Sequence, residues 1–343
     1  MNQLLIFLSW LFEMAVASRR WFYQIGLIKT RRLPARVISV GNLTVGGTGK
    51  TPMVIAVAQR LKEKGYKPAV LSRGYKGKAG KGVSVVSDGE KICEDPEMVG
   101  EEPILIAKRL PGIPVLVGSD RYRTGGYAFQ KWGTDLIVLD DGFQYLGIEK
   151  DLNLLLVDAT NPFGNGYLLP RGILREPIDR LKSADGIVLT KVNLLPDVVG
   201  LAERIQRIAG PVPIFQAVLA PTQLICRSTG VQSSPKDLAG KKVVCFSGIG
   251  NPFTFRRLLE QLGAKVVKEL VFKDHHAYTS GDEDKIELAA KETAGDFVIT
   301  TEKDVVKISD RVIKKIDLHV LRVDLVVNGN KEAWDTLLTG RGN

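Results

Sequence analysis

Residues 37–52 read VISVGNLTVGGTGKTP, and this stretch decides the fold of the chain. Val37 to Val40 predict a short buried strand, and a glycine-rich turn follows. After Pro52, apolar residues recur at helical spacing as far as Leu61. Strand, glycine loop, Lys-Thr pair and helix, in this order, form the context of a phosphate-binding P-loop. The alternative is an ordinary strand-to-helix turn that happens to be rich in glycine.

The loop predicts a nucleotide site. Its glycines let backbone N–H groups approach phosphate oxygens, and the following helix N-terminus favours negative charge. Lys50 is expected to reach the β- and γ-phosphates and the Thr51 hydroxyl to hold Mg²⁺. The usual spacing G-x-x-x-x-G-K-[ST] has glycine where this chain has Thr44, but the GKT end is intact. The predicted nucleotide-binding residues are Thr44, Val45, Gly46, Gly47, Thr48, Gly49, Lys50 and Thr51.

Composition indicates a globular protein with an anionic partner. The chain has 343 residues, 44% of them hydrophobic and 25% charged, which suits two domains. A net charge of +10 favours nucleic acid, a phosphorylated substrate or an anionic membrane as partner. The three cysteines show neither zinc nor disulfide spacing and fit a reducing compartment.

The N-terminus predicts an amphiphilic helix. Residues Leu4 to Ala17 are nearly all apolar but too few to span a bilayer. From Met14 to Lys62 the chain has nine basic and no acidic residues, with an aromatic cluster at Trp21, Phe22 and Tyr23. This combination is typical of a helix that lies in the interface of an anionic membrane. A core helix packed on the P-loop domain is the alternative.

Predicted strand ends supply further candidate site residues. Residues 135–141, DLIVLDD, resemble a Walker B strand and predict Asp140 and Asp141 as Mg²⁺ ligands. Arg73 and Tyr75 follow a predicted strand, and Arg121 opens a helix after another. Ligands of open α/β sheets bind at such strand ends, so we expect these three to bind substrate. A solvated turn is the alternative for Arg73 and Tyr75.

Three other segments carry candidate residues. Glu101 stands with Glu102 at the start of a predicted helix, where the helix dipole alone favours acidic residues. In the loop LLPRGILREP, Arg175 is expected to stabilise transition-state charge. The segment at residues 190–193, TKVN, resembles a guanine-reading motif, but Asn193 replaces its carboxylate.

A second βαβ region begins near residue 229, and two extended segments are expected to pair as a linker that allows hinged closure. The expected fold is α/β: a P-loop NTPase-like α/β/α domain and a smaller α/β/α domain, joined by a two-stranded linker. The predicted parts are an N-terminal helix and basic arm at 1–36, a P-loop domain at 37–213, linker strands at 214–228 and 318–327, a C-terminal α/β domain at 229–317 and a C-terminal helix at 328–343.

The chain resembles the tetraacyldisaccharide 4'-kinase family, also called the lipid A 4'-kinases. The resemblance runs from about residue 1 to 325 through ordered motifs: VGNLTVGGTGKTP, LSRGY, GEEP, DRY, LDDGFQ, LREP, LTKVN, FSGIGNP, Asp-His and TEKD. It implies phosphorylation, with ATP and Mg²⁺, of the 4'-hydroxyl of a lipid A precursor, a tetraacylated disaccharide 1-phosphate. It also implies peripheral attachment to the cytoplasmic face of a Gram-negative inner membrane.

The resemblance further implies roles for individual residues. Arg175 and Glu176 line the nucleotide side, with Glu176 near the metal. His275 belongs to a catalytic Asp–His pair, and Glu101 stands where the family motif Gly-Asp-Glu-Pro has its Asp. Glu101 is therefore expected to be the catalytic base, with a carboxylate one methylene further from the backbone.

Three other functions compete with a lipid kinase. Membrane-associated P-loop ATPases that position cargo carry a lysine just before the Gly-Gly pair, where this chain has Val45. A GTPase-like switch is disfavoured by Asn193. A nucleic-acid-binding protein is suggested by charge alone, and no DNA or RNA motif supports it, so we expect no nucleic-acid partner.

Overall fold

The computed structural model of the chain describes residues 3–74, 82–93, 95–293 and 295–340. Tyr75, one of the predicted substrate-binding residues, lies outside these ranges. The chain divides into two compact units, Met1–Val218 with Leu325–Asn343, and Leu219–Asp324. The predicted linker segments correspond to two long strands, each of which begins in one unit and ends in the other.

The first unit contains a mainly parallel sheet with helices. Its strands are β1 (Arg36–Asn42), β2 (Pro68–Ser72), β3 (Ser84–Ser87), β4 (Val115–Val117), β5 (Leu136–Asp140), β6 (Leu152–Asp158), β7 (Gly186–Thr190) and the start of β8 (Ile214–Cys226). Its helices are α1 (Gln3–Gln24), α2 (Lys50–Glu63), α3 (Pro96–Val99), α4 (Glu101–Arg109), α5 (Arg121–Trp132), α6 (Val199–Ala209), α11 (Lys331–Thr339) and the 3₁₀ helices Ile178–Ser183 and Val192–Leu194.

The sheet of the first unit has the order β8-β7-β6-β1-β5-β2-β4-β3, and only β3 runs antiparallel to its neighbour. β1 lies between β5 and β6, paired in parallel with both. Strands β2, β5 and β7 are buried along their whole length, which explains their nearly continuous apolar sequences. Because neighbouring strands are parallel, their carboxyl ends meet at one edge, where ligands of open α/β sheets bind.

Helix α1 is longer than the predicted apolar segment and packs only in part. It extends through the arginines and aromatic residues to Gln24, and Ser9 and Val16 are its buried residues. Ser9 Oγ donates a hydrogen bond to the Leu168 carbonyl at 2.9 Å. Large apolar side chains on its other face remain exposed, among them Leu4, Phe7, Trp10, Leu11 and Met14. Among the described residues, no helix has both the length and the apolar character needed to cross a membrane.

The second unit is a smaller α/β body. Besides the end of β8 it contains β9 (Gln232–Ser233), β10 (Lys242–Ser247), β11 (Lys265–Val271), β12 (Phe297–Thr301), β13 (Leu318–Asn328), α7 (Pro252–Gln261), α8 (Ser280–Glu292), α9 (Glu302–Val305), α10 (Asp310–Lys315) and the 3₁₀ helix Pro235–Leu238. Its sheet has the order β11-β10-β12-β13-β8, with β9 beside β8. The predicted linker strands, β8 and β13, are therefore neighbours.

Candidate active site

The predicted P-loop connects β1 to α2 at the ligand-binding edge of the first sheet. Gly46 and Gly49 have φ values of 107° and 89°, which residues with a Cβ atom rarely adopt. Helix α2 begins at Lys50, directly after Gly49. The Thr190 hydroxyl, at the end of β7, donates a hydrogen bond of 2.9 Å to the Thr48 carbonyl. The end of β7, two strands away from β1 in the sheet, therefore contacts the loop and helps to fix its path.

Asn42, the last residue of β1, is a functional candidate that the sequence analysis missed. Its buried amide donates hydrogen bonds to the hydroxyls of Thr48 at 2.8 Å and Thr44 at 3.3 Å. Its carbonyl oxygen accepts from Lys50 Nζ at 3.3 Å and from the Arg175 guanidinium. One side chain thus orients the loop, its lysine and the arginine together. The signal that could have identified Asn42 in the sequence is a polar residue at the end of a predicted buried strand.

Asp141 and Arg175 form an ion pair at the end of β5. Arg175 Nη1 and Nη2 donate to the two carboxylate oxygens, each at 2.8 Å, and Lys50 Nζ lies 3.8 Å from Oδ1. Burial acts to raise the Asp141 pKa, but the Arg175 hydrogen bonds and the charge of Lys50 outweigh it and hold that pKa to about 2. Burial lowers the Lys50 pKa, and Asp141 opposes this effect. Asp141 is therefore ionised across the physiological range.

Asp140 has the opposite electrostatic character. It is buried, and its Oδ2 accepts a hydrogen bond of 2.9 Å from Ser72 Oγ. Burial, with repulsion from Glu102 and Asp141, raises its pKa to about 6, although Ser72 lowers it. The pKa values of these two neighbouring carboxylates are thus far apart. A divalent cation beside them would favour the ionised form of Asp140.

Arg121 is buried beneath these carboxylates. Its guanidinium donates to the Asp140 carbonyl at 2.9 Å and packs over the Tyr145 ring, 5.2 Å from the ring centroid. Burial lowers its pKa, opposed by both aspartates. This position suits a residue that supports the Asp140–Asp141 turn, and its predicted contact with substrate stays a prediction. Arg73 follows β2 and is exposed, so it remains available for an anionic ligand.

The structure distinguishes between the two acidic residues of the GEEP segment. Glu101 and Glu102 begin α4, and both are half-buried. Glu102 interacts electrostatically with both Asp140 and Lys50. The family motif identifies Glu101 as the expected base, whereas the sequence at Glu102 indicates only a charge that a helix terminus favours. Glu102 is therefore a second candidate for the catalytic base. The sequence did not indicate it, because only its neighbours in the folded structure identify it.

The remaining predicted residues lie in different parts of the molecule. His275 belongs to the second unit and adopts a φ of 55°, where its N–H donates to the Gly248 carbonyl at 3.1 Å. Glu176 is buried in the first unit, and its carboxylate lies 3.4 Å from Arg19 and 3.7 Å from Arg20. Its metal-binding role stays a prediction. In the TKVN segment, Lys191 is buried in an ion pair with Asp158.

These side chains fit a nucleotide with a divalent cation. A Cβ at Gly46 or Gly47 would meet nothing within 4 Å, which leaves room for a phosphate beside the loop. Thr51, Asp140 and Asp141 offer the hard oxygen ligands that Mg²⁺ prefers. Fold and site together define a P-loop NTPase-like phosphotransferase of the α/β class.

Comparisons with known proteins specify the family. A sequence profile described as Tetraacyldisaccharide-1-P 4'-kinase matches residues 1–341. The chain is 46% identical to a tetraacyldisaccharide 4'-kinase of Syntrophus aciditrophicus over 94% of its length and 88% of the relative's. It is 38% identical to that of Halothermothrix orenii, over 95% and 89%. The structure resembles LpxK from Aquifex aeolicus in complex with ATP, with a TM-score of 0.76, 32% identity and coverage of 98% and 97%. The chain therefore belongs to the tetraacyldisaccharide 4'-kinase family.

Proposed function

We propose that this protein transfers the γ-phosphoryl group of ATP to the 4'-hydroxyl of a tetraacylated glucosamine disaccharide 1-phosphate, forming lipid IVA in lipid A biosynthesis. The observation that carries the proposal is the cluster formed by the P-loop, Asn42, Lys50, Asp141 and Arg175 at one sheet edge. Membership of the kinase family supplies the acceptor. The cluster supplies the cationic groups that a phosphoryl transfer needs.

We assign the triphosphate to the P-loop and Lys50, an assignment that the position of Lys50 beside Asn42 and Asp141 supports. Thr51, Asp140 and Asp141 would hold Mg²⁺, which when bound neutralises charge on the phosphate oxygens. Arg175, fixed by Asp141 and Asn42, places a guanidinium beside Lys50 without a conformational search. Preorganised cations of this kind stabilise developing charge at no reorganisation cost during the reaction.

The acceptor hydroxyl is a poor nucleophile and needs a base within hydrogen-bond reach. We assign this role to Glu101, the residue at the family's Asp position, and assign His275 to orient it. Glu102 is the second candidate, because it interacts electrostatically with Asp140 and Lys50 beside the P-loop. Since the two glutamates are adjacent, they form a matched pair for mutation.

The enzyme is proposed to act on the membrane surface, at the cytoplasmic face of the inner membrane. The exposed apolar face of α1 includes Phe7, 54% exposed, and Trp10, 53% exposed, which is unusual for a helix of a soluble domain. Arg19 and Arg20 lie towards the end of the same helix. An apolar face combined with nearby cations is typical of interfacial helices.

The experiment that tests the proposed function is a kinase assay with ATP, Mg²⁺ and the disaccharide 1-phosphate in neutral detergent. The wild-type protein should form the 4'-phosphorylated product, and Lys50→Ala should lower kcat/KM by roughly 10²-fold or more, since it removes a preorganised charge. Lys182→Ala is the matched control, because Lys182 is exposed on the 3₁₀ helix Ile178–Ser183. Failure of the wild-type protein to phosphorylate this acceptor would overturn the proposal.

A further inference from the structure

We propose that four cationic residues of the first unit, Arg19, Arg20, Lys150 and Arg180, bind a phosphate monoester, the 1-phosphate of the lipid acceptor. This inference rests on the proposed function and extends it, since it assigns the end of the acceptor that does not react. None of the four residues was predicted as a site residue from the sequence.

The cluster surrounds the buried carboxylate of Glu176. Arg19 Nη2 lies 3.4 Å from Oε1, and Arg20 Nη1 lies 3.7 Å from Oε2. Arg180 interacts electrostatically with both Arg20 and Glu176, and Lys150 with Arg180, Glu176 and Arg19. The four cations therefore share one region, although they come from α1, the segment before β6 and the 3₁₀ helix Ile178–Ser183.

Charge in this region is unbalanced. Two acidic residues interact electrostatically with Arg180. Glu176 is buried, with 3% of its surface exposed, and Asp179, which precedes Arg180 in the chain, is exposed. Four positive side chains thus face two negative ones, of which one lies at the surface. Holding like charges together in a partly buried place costs free energy. A dianionic ligand would remove that cost, and a phosphate monoester carries about −1.5 to −2 charges at neutral pH.

Hydrogen-bonding capacity in the cluster is also incomplete. Arg180 Nε is buried and has no hydrogen-bond acceptor among the residues that the structure describes. Arg20 Nη1 is also buried and makes no hydrogen bond, although Glu176 Oε2, likewise without a hydrogen bond, lies 3.7 Å away. Buried donors of native proteins are nearly always paired, so such atoms point to a missing acceptor. Guanidinium donors match the oxygens of phosphate better than those of most other groups.

Lys150 adds a further cation of unusual character. Its Nζ donates to the Phe143 carbonyl at 2.8 Å and lies 5.8 Å from the centre of the Phe143 ring. Burial, with repulsion from Arg121 and Arg180, lowers its pKa to about 7. A bound anion would counteract both effects and favour the charged ammonium.

The surroundings favour a phosphate on the acceptor lipid. Arg175, which precedes Glu176 directly, binds Asp141 beside the P-loop, so adjacent residues of one loop connect the cluster to the phosphoryl-transfer site. On its other side, Arg19 and Arg20 belong to α1, whose exposed apolar face suits acyl chains. The first unit therefore offers one feature for each part of the acceptor. The apolar face of α1 suits the acyl chains, the phosphoryl-transfer site suits the reacting hydroxyl, and the cationic cluster suits the remote phosphate.

The test compares two acceptors in neutral-detergent micelles: the disaccharide 1-phosphate and the same disaccharide without that phosphate. We expect the wild-type protein to have a KM roughly tenfold or more higher for the acceptor without phosphate, the scale of one lost charged hydrogen bond. Arg180→Gln and Arg20→Gln should each raise the KM for the phosphorylated acceptor about tenfold. The KM for the other acceptor and for ATP should stay unchanged, which also verifies folding.

Two further variants sharpen the comparison. Arg180→Lys keeps a charge and should lie between wild type and Arg180→Gln, whereas Lys182→Gln should behave as wild type. Equal changes for both acceptors, or a wild-type protein that does not distinguish them, would overturn the proposal. If the variants weaken binding to phosphatidylglycerol vesicles but keep the acceptor preference, the cluster binds membrane phosphates instead. Absence of any phosphorylation by the wild type would refute the proposed function, a different outcome.

Discussion

Arg175 donates one hydrogen bond to each carboxylate oxygen of Asp141, both at 2.8 Å. This bidentate contact joins the loop before the 3₁₀ helix Ile178–Ser183 to the end of β5. The same guanidinium also contacts Asn42, at the end of β1. Arg175 therefore holds three segments together: β1, which leads into the P-loop, β5, which leads to the two aspartates, and its own loop.

Arg175→Lys should therefore lower kcat by roughly 10²-fold, since an ammonium cannot donate in the same fork geometry. The KM for ATP should change less than kcat. Steady-state kinetics with Mg²⁺-ATP measure both. A lysine variant with normal kcat would show that only the charge matters and that the bidentate geometry is dispensable.

Asp140→Asn should abolish most activity and stabilise the fold at neutral pH. The folded-state pKa of Asp140, about 6, is raised above its ordinary value of 3.8. Its stabilising contribution is then complete below pH 3.8 and is lost as the pH rises through 6. Removing the charge should raise the free energy of unfolding above pH 7 by on the order of 3 kcal/mol.

Thermal unfolding without Mg²⁺ at pH 5 and pH 8 measures this effect. The gain in Tm of Asp140→Asn over wild type should be larger at pH 8. A larger gain at pH 5 would contradict the raised pKa. Kinetics should show an activity loss of the wild type at a pH below 6, and at a lower pH the higher the Mg²⁺ concentration, since a metal-binding carboxylate must be ionised and bound Mg²⁺ favours that form.

Glu101→Ala and Glu102→Ala separate the two candidate bases. If Glu101 accepts the proton, its removal should lower kcat by roughly 10²- to 10⁴-fold with little change in ATP affinity. Glu102→Ala should chiefly alter Mg²⁺-ATP use, because Glu102 interacts with Asp140 and Lys50. The reverse pattern would assign the base to Glu102.

The double variant of Glu101→Ala with His275→Ala tests whether these two residues act together. If His275 orients Glu101, the double variant should be about as impaired as the poorer single variant, since residues that act as a unit are not additive. Losses in kcat that multiply would show independent roles.

Replacing Phe7, Trp10 and Leu11 together by serine should release the protein from membranes. These side chains are exposed, so the change leaves the buried contacts of Ser9 and Val16 in place. Co-sedimentation with vesicles that contain phosphatidylglycerol measures binding. Removal of residues 1–17 should have the same effect. Undiminished sedimentation of both variants would show that α1 is purely structural.

Glu176→Gln examines a role that was inferred from family resemblance. Because Glu176 is paired with Arg19 and Arg20, we expect an unchanged Mg²⁺ requirement and a lower KM for the phosphorylated acceptor. Titration of activity with Mg²⁺ is the measurement. A strongly increased Mg²⁺ requirement would instead support the predicted metal-ligand role.

Sequence patterns were most informative where chemistry and local structure are contiguous. The strand, glycine loop and Lys50-Thr51 pair form one short segment, so their arrangement follows from local backbone rules. Asp140 and Asp141 ended an apolar strand in the same way, and the structure has them at the end of β5. The kinase family and α/β fold could be predicted on this basis.

Residues whose role depends on distant partners could not be found in this way. Asn42 is defined by Arg175, which lies 133 residues further along the chain. For Glu176 and Arg121 the structure adds contacts that the sequence could not indicate, with Arg19 of α1 and with the Asp140 carbonyl, and their ligand-binding roles stay predictions. Sequence spacing gives no information on such tertiary contacts. Likewise, the pairing of Arg19 with Glu176 joins residues 157 positions apart.

The position of helix α11 near the end of the chain has a consequence for the synthesis of the protein on the ribosome. Asp335 binds Arg60 of α2 at 2.7 and 2.6 Å, and Trp334 packs on Phe215 with ring centroids 5.0 Å apart. The second unit is thus an insertion in the first, between β8 and α11. The ribosome makes the inserted unit before it makes the helix that covers α2. The nucleotide-binding unit is therefore completed only after the whole insertion has been translated, and a nascent chain that stalls at residue 324 carries the entire P-loop on an unfinished body.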